Sequence, residues 1–250
     1  MHILLPSLRP EHSRLGRRRS DRQPDRLLAG FAASALVPAI LLLSGCFSLS
    51  RDAPPQQHYV LGAGATDAPE LVVGTDETAL PTLVGLRPPL IADYLATPYL
   101  VVRHGSHRVE FSEFHRWGED LGRGINRTVA LLLTQAAPEL RGVAAPWSTG
   151  AMPAYLVQLQ VLRFEGAVPE EAVATGADPP PGSGSSHLEV AWEIIQPRDG
   201  ATVARGSTEV IEPGWTVGDH AALVQRLDSA LGILAGELAE AFDRVLAPTE

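Results

Sequence analysis

No lysine occurs anywhere in the 250 residues, and cysteine occurs once, at Cys46. Positive charge is therefore carried by arginine alone. A lone thiol excludes an intramolecular disulfide, and it excludes a thiol-rich metal site. Basic residues are also scarce past the cysteine. From Cys46 onward 13 Arg face 26 acidic residues, a net of −13, whereas the residues before it carry seven Arg against three acids, a net of +4. A domain so acidic lacks the footprint that phosphates need, so no nucleic acid is expected as a partner. Charge alone cannot hold it to an anionic lipid surface either.

Long apolar runs are absent except for one. Residues 27–43, LLAGFAASALVPAILLL, carry no charge and follow the arginine-rich head. With Gly30 and Pro38 inside it, this run is short and interrupted for a membrane span. Its order, positive then apolar then small, is that of a secretory signal. Leu43, Ser44, Gly45 and Cys46 then match the bacterial lipobox. Small Ser44 and Gly45 let a peptidase reach the bond between Gly45 and Cys46. The thiol takes a diacylglyceryl thioether, and the freed amine takes an N-acyl chain. Two or three chains at ~0.8 kcal/mol per buried CH₂ hold durably where one would not. The expected organisation is a cleaved signal peptide at 1–45, a lipidated N-terminus and tether at 46–57, and a folded domain at 58–247. Phe47 stands where an Asp would signal inner-membrane retention, which favours a lipid-anchored protein of the outer membrane, facing the periplasm.

Within the domain, the reading starts with a short strand at His58–Leu61 and another from Thr82, ended by Pro88 and Pro89. LIADYL reads as a helical turn, and YLVVRH with HRVEF as a hairpin about Gly105. Ser112 is expected to cap a helix carrying Trp117, Leu121, Ile125, Val129, Leu132 and Ala136, ended by Pro138. Gly118, Gly122 and Gly124 weaken its first half. AYLVQLQVLRFEG, HLEVAWEII and ATVARGSTEVIE read as strands, the last two joined through Arg198, Asp199 and Gly200. Asp219 is expected to cap a long helix to about Leu246. The order predicts a single α+β domain, with an antiparallel-dominated sheet and two main helices on one face. Residues 166–186, rich in Gly, Pro, Ser and acid, read as a loop between strands.

No constellation supplies nucleophile, base and electrophile together, so no enzyme is expected. His104, His107 and His115 match no metal-ligand spacing and read as surface histidines beside the hairpin, so no metal is expected. Ser183, Ser185 and Ser186 lie in the loop, without the strand a nucleophile elbow requires. Glu119 and Asp120 read as a solvated helix face. Asn126 heads a glycosylation triplet but falls in mid-helix. Trp117, Trp147 and Trp192 read as core, and Trp215, in a Pro/Gly turn, as the exposed aromatic.

Several stretches together resemble the PqiC/YmbA family of lipoproteins, the auxiliary components of ABC-type, MCE-domain lipid transport systems. They are the lipobox cysteine followed by PPQQHYVLGAG; VGLRPPLIADYLATPYLVVR, with Tyr94, Leu95 and Arg103; and VEFSEFHRWGEDL, with His115, Arg116 and Trp117 at a helix start. Pro146-Trp147, Arg163-Phe164 and VAWEI around Trp192 complete them. The resemblance implies a docking subunit with no cofactor beyond the acyl chains on Cys46. Membrane lipid through Cys46 and an MCE-domain subunit would be its partners, and Arg103, His115, Arg116, Trp117, Trp147 and Trp192 the partner-contact residues. It leaves a homo-oligomer open. The alternative is a lipid- or solute-binding lipoprotein carrying its ligand between sheet and helices, which requires an apolar cavity there.

Overall fold

Apolar residues at every second position and at every third or fourth mark out the strands and helices of the computed structural model. It describes residues 54–63, 80–148, 150–169 and 183–247. The signal segment, the lipobox from Leu43 to Cys46 and residues 170–182 of the expected loop lie outside these. The strands are β1 (Gln57–Tyr59), β2 (Thr82–Leu86), β3 (Leu90–Ile91), β4 (Tyr99–His104), β5 (Arg108–Trp117), β6 (Leu140–Ala144), β7 (Tyr155–Val168), β8 (Gly184–Gln196) and β9 (Ala201–Trp215). The helices are α1 (Leu121–Ala136) and α2 (His220–Leu246), with a 3-10 turn at Asp93–Leu95.

All nine strands join in one mixed sheet. The long β7, β8 and β9 form an antiparallel meander, and β4 with β5 an antiparallel hairpin. The other side of β7 is shared by three short parallel neighbours: β2 near its start, β3 at its middle and β4 at its end. In β8 the alternation holds as expected: Leu188, Val190, Trp192 and Ile194 are buried. They face both helices, whose stripes of Ile125, Val129 and Leu133 and of Leu223, Leu227, Leu231, Leu234, Leu238 and Phe242 are buried against the sheet. Each such side chain contributes roughly 1.5–3 kcal/mol when fully buried. The single α+β domain with two helices on one face is thus as the apolar periods imply.

Asp219 caps α2 by accepting from the Ala222 N–H at 3.0 Å, as expected. Helix α1 starts later than the expected Ser112. Residues 112–117 continue β5, which pairs antiparallel with β4 and, at His115–Trp117, parallel with β1. Ladder bonds on both sides outweigh a helical period that Trp117 joins only because it also faces the core. His115, Arg116 and Trp117 therefore end a strand rather than begin a helix. Asp120, read as solvated surface, is the cap, accepting from the Arg123 N–H at 2.9 Å, and Glu119 pairs with Arg127 at 2.6 Å.

Three further differences stand out. β6 lies beside β2 where no strand was expected. Both ends of the expected 166–186 loop are strand, three residues at each, because β7 runs to Val168 and β8 starts at Gly184. Trp215 is buried to 1% exposure, its indole N–H donating to the Asp219 carbonyl at 2.7 Å.

Candidate functional site

The sheet face away from the helices carries a charge cluster assembled from two strands and the 3-10 turn. Alternation on β7 turns Arg163 and Glu165 to that face while Phe164 enters the core, and β4 brings Arg103 alongside. Glu165 is 1% exposed. Its carboxylate receives both arms of the Arg103 guanidinium, Nε at 2.5 Å and Nη2 at 3.2 Å, with Arg163 at 3.8 Å. The hydrogen bond to Glu165 pushes the Arg103 pKa up. Tyr94 lies under the same guanidinium, 5.3 Å from its ring centre, and donates to the Leu162 carbonyl. Burial first, then the nearby Glu165 charge, pushes its hydroxyl up to about 12. A buried, bidentate pair of this kind fixes strand positions, because loss of Arg103 leaves a carboxylate buried without its main partner.

On β8, Ser185 and His187 stand 2.9 Å apart, a contact the loop reading missed. The other ring nitrogen of His187 lies 3.3 Å from Arg163 rather than beside a carboxylate. A hydrolase places an acid there to stabilise the imidazolium. Here burial and then Arg163 push the His187 pKa down, the opposite of what that chemistry needs.

His115 is not a lone surface histidine. Its ring stacks at 3.8 Å on His220, the first residue of α2, and the Tyr59 hydroxyl lies 3.0 Å from its Nδ1. Burial and the neighbouring His115 push the His220 pKa down. This column joins β1, β5 and α2. Just after it, the chain from Leu61 to Gly62 is fastened across both helices. Arg127 of α1 donates to the Leu61 carbonyl at 3.0 Å, and Asp228 of α2 accepts from the Gly62 N–H at 2.7 Å. Gly62 has φ +76°, and an added Cβ would lie 2.9 Å from Thr128 Oγ1, so only glycine fits.

The remaining singled-out residues do not converge. Arg116 covers the Tyr99 ring at 4.7 Å. Trp117 packs on Phe164 and lines a surface cleft of about 310 Å³ with Ile91, Leu95, Pro98 and Leu121. Trp192 is buried as expected, donating to the Thr208 hydroxyl at 3.3 Å, and that hydroxyl donates in turn to Glu237 of α2. Trp147 differs from the core reading. It is half-buried beside β6, in a groove of about 540 Å³ with Leu83, Arg141 and Val143. His104 is partly buried and meets Glu110 at 3.0 Å. Asn126 is 2% exposed, donating to the Leu86 carbonyl, which leaves no room for a glycan. Among the described residues no three metal-ligating side chains converge, and no helix is long and apolar enough to cross a membrane.

Glu165, Tyr59, His220 and Asp228 were not singled out by the sequence. Only Glu165 gave a signal, as an acid inside an otherwise apolar strand run; the others depend on contacts across 50 or more residues.

A family model described as the ABC-type transport auxiliary lipoprotein component matches residues 59–239. No curated protein matches. Among solved structures, an uncharacterized protein is 14% identical, with 75% of this chain and 99% of that one covered, at a TM-score of 0.54. A Xanthomonas campestris protein is 18% identical over 64% of this chain and 84% of its own, at 0.49. The PelC dodecamer from Paraburkholderia phytofirmans is 17% identical over 64% of this chain and 88% of its own, at 0.36. The first of these shares the fold.

Proposed function

The chain belongs to the ABC-type transport auxiliary lipoprotein component family, and we propose that it is the lipid-anchored docking subunit of an MCE-type lipid transport system. In this reading Cys46 carries the acyl chains, in the outer membrane, and the domain faces the periplasm. Ten residues lie between Cys46 and Gln57, a reach of at most about 40 Å. The domain would present its surfaces to an MCE-domain subunit and leave the moving of phospholipid, or another apolar substance, to that assembly.

The observation that carries docking over ligand carriage is the filled space between sheet and helices. Val157, Leu159, Val161, Val190, Leu231, Leu234 and Leu238 are all at 0% exposure there. A carrier of an acyl chain needs that space open. The clefts at Trp117 and Trp147 lie instead at the margins, rimmed by exposed residues such as Pro98, Gly118 and Ser148. Such rims suit contact with another protein.

Crosslinking in intact envelopes, followed by capture of this chain and mass spectrometry, should recover an MCE-domain subunit. Recovery of no such subunit overturns the docking role. Cys46→Ser should shift the protein from the membrane to the soluble fraction; full retention in the membrane overturns lipidation.

A further inference from the structure

β9 lies at a margin of the sheet. Among the described residues its one strand neighbour is β8. For much of its 15 residues it therefore offers backbone N–H and C=O groups to solvent, a template for another strand. Two features bound the template. The register with β8 slips at Val203, and Pro213 sits opposite Ser185 near the other end. Pro213 has no N–H to give, so its place in the ladder is one whose backbone turns away from β8. Alternation then turns the N–H and C=O of Ile211, Glu209, Ser207 and Arg205 off the edge as well. The side chains of these odd-numbered residues are exposed on the sheet face opposite the helices, whereas Thr208 and Val210 are buried.

Read about Ser207, this stretch is complementary to itself. A second copy running antiparallel puts Arg205 opposite Glu209 and Ser207 opposite Ser207. By symmetry the first pair forms twice. Moving the centre to Glu209 sets two glutamates against each other, and moving it to Arg205 sets two arginines together. Centres at Gly206 or Thr208 leave both charges without an opposite partner. Like charges directly opposite destabilise a ladder, so charge selects one register.

The helix layer adds to the same edge. α2 is fixed above β9 by Arg226, which reaches Glu212 at 3.5 Å and the Pro213 carbonyl at 3.2 Å, and by Glu237, which accepts from Thr208. Between these anchors on α2 lies Ile233, 45% exposed. On β9 itself Ile211, 50% exposed, lies on the other face, and Val203, 39% exposed, stands at the bulge. Exposed apolar side chains thus border the edge on both layers.

We propose that β9 pairs antiparallel with β9 of a second copy of this chain, about a two-fold axis through Ser207 and normal to the sheet. The two sheets become continuous, and both helix layers lie on one side. The inference goes beyond the transport role and stands on β9 and α2 alone.

The test uses the full chain in detergent micelles, with sedimentation velocity over a range of concentrations. The wild type should show a reversible monomer–dimer equilibrium. Arg205→Glu and Glu209→Arg should each weaken the dimer by about tenfold or more, and the charge swap carrying both should restore it to within about threefold. Far-UV circular dichroism checks that each variant is folded. Ser207→Cys, mildly oxidised, should give a peptide linked 207 to 207, since opposed residues on paired strands lie within disulfide reach. A monomeric wild type, a dimer that persists in both single variants, a swap no tighter than either single, or the absence of the 207–207 link overturns the proposal.

Discussion

Replacing Arg103 by Met tests how much the charge cluster holds the sheet together. In the wild type the side chain of Glu165 has no solvent exposure and Arg103 has 15%. Removing the guanidinium leaves a buried carboxylate with Arg163 at 3.8 Å as its nearest cation. Breaking a buried pair costs about 3–5 kcal/mol, and the remaining arginine places this case near the lower end, at about 3 kcal/mol. In a domain of this size each kcal/mol moves Tm by about 2–4 °C, so a fall of about 6–12 °C is expected. The opposite change, Glu165→Leu, should cost less, because Arg103 can turn its charge toward solvent. Arg103→Met with Glu165→Leu should recover at least half of the loss, since no charge is then left buried. Thermal unfolding followed by circular dichroism at pH 7.5 reads all four proteins. A fall below about 2 °C for Arg103→Met, or a double variant no more stable than that single, would refute the reasoning.

Acid should destabilise the domain through its histidines. His220 and His187 both have folded pKa values pushed below the ordinary 6.5, mainly by burial. Their stabilisation is therefore present above about pH 6.5 and is lost as pH falls through the folded values. Tm should drop between pH 7.5 and pH 5, and His220→Gln should flatten part of that drop; a pH-independent Tm contradicts the assignment. Gly206→Ala would bring a Cβ to 2.4 Å from the Trp192 ring, and the overpacking should cost about 1–3 kcal/mol with a changed near-UV tryptophan signal. Asp228→Ala removes the bond to the Gly62 N–H. It should speed limited proteolysis around residues 57–63 while lowering Tm by about 3–6 °C, the worth of one part-buried hydrogen bond to a carboxylate at about 1.5 kcal/mol.

Legibility in the sequence followed the length and regularity of the elements. β8 and α2 could be read directly, since each repeats one period over many residues and Asp219 marks the helix start. β6 could not, because LRGVA is five residues with a charge and a glycine inside, and β2 and α1 make it a strand. The start of α1 misled because Trp117 lies at helical spacing from Leu121 while its backbone belongs to β5. Trp215 misled for a related reason. Pro213 and Gly214 suggest an exposed turn, yet Gly166 and Gly184 leave room for the indole beside them. The charge cluster was half visible: Arg103 and Arg163 were noticed, but their shared carboxylate depends on a register between β4 and β7 that no local pattern encodes.

The fastening of Leu61 and Gly62 has a mechanical meaning. A pull arriving along the chain from upstream of Pro54 does not peel one strand from the sheet margin. It is divided among the β5 ladder, Arg127 and Asp228, and so reaches the two longest helices together. From Gln57 onward such a load is borne by the hull, sheet and helices together, and not by a single plank at its margin.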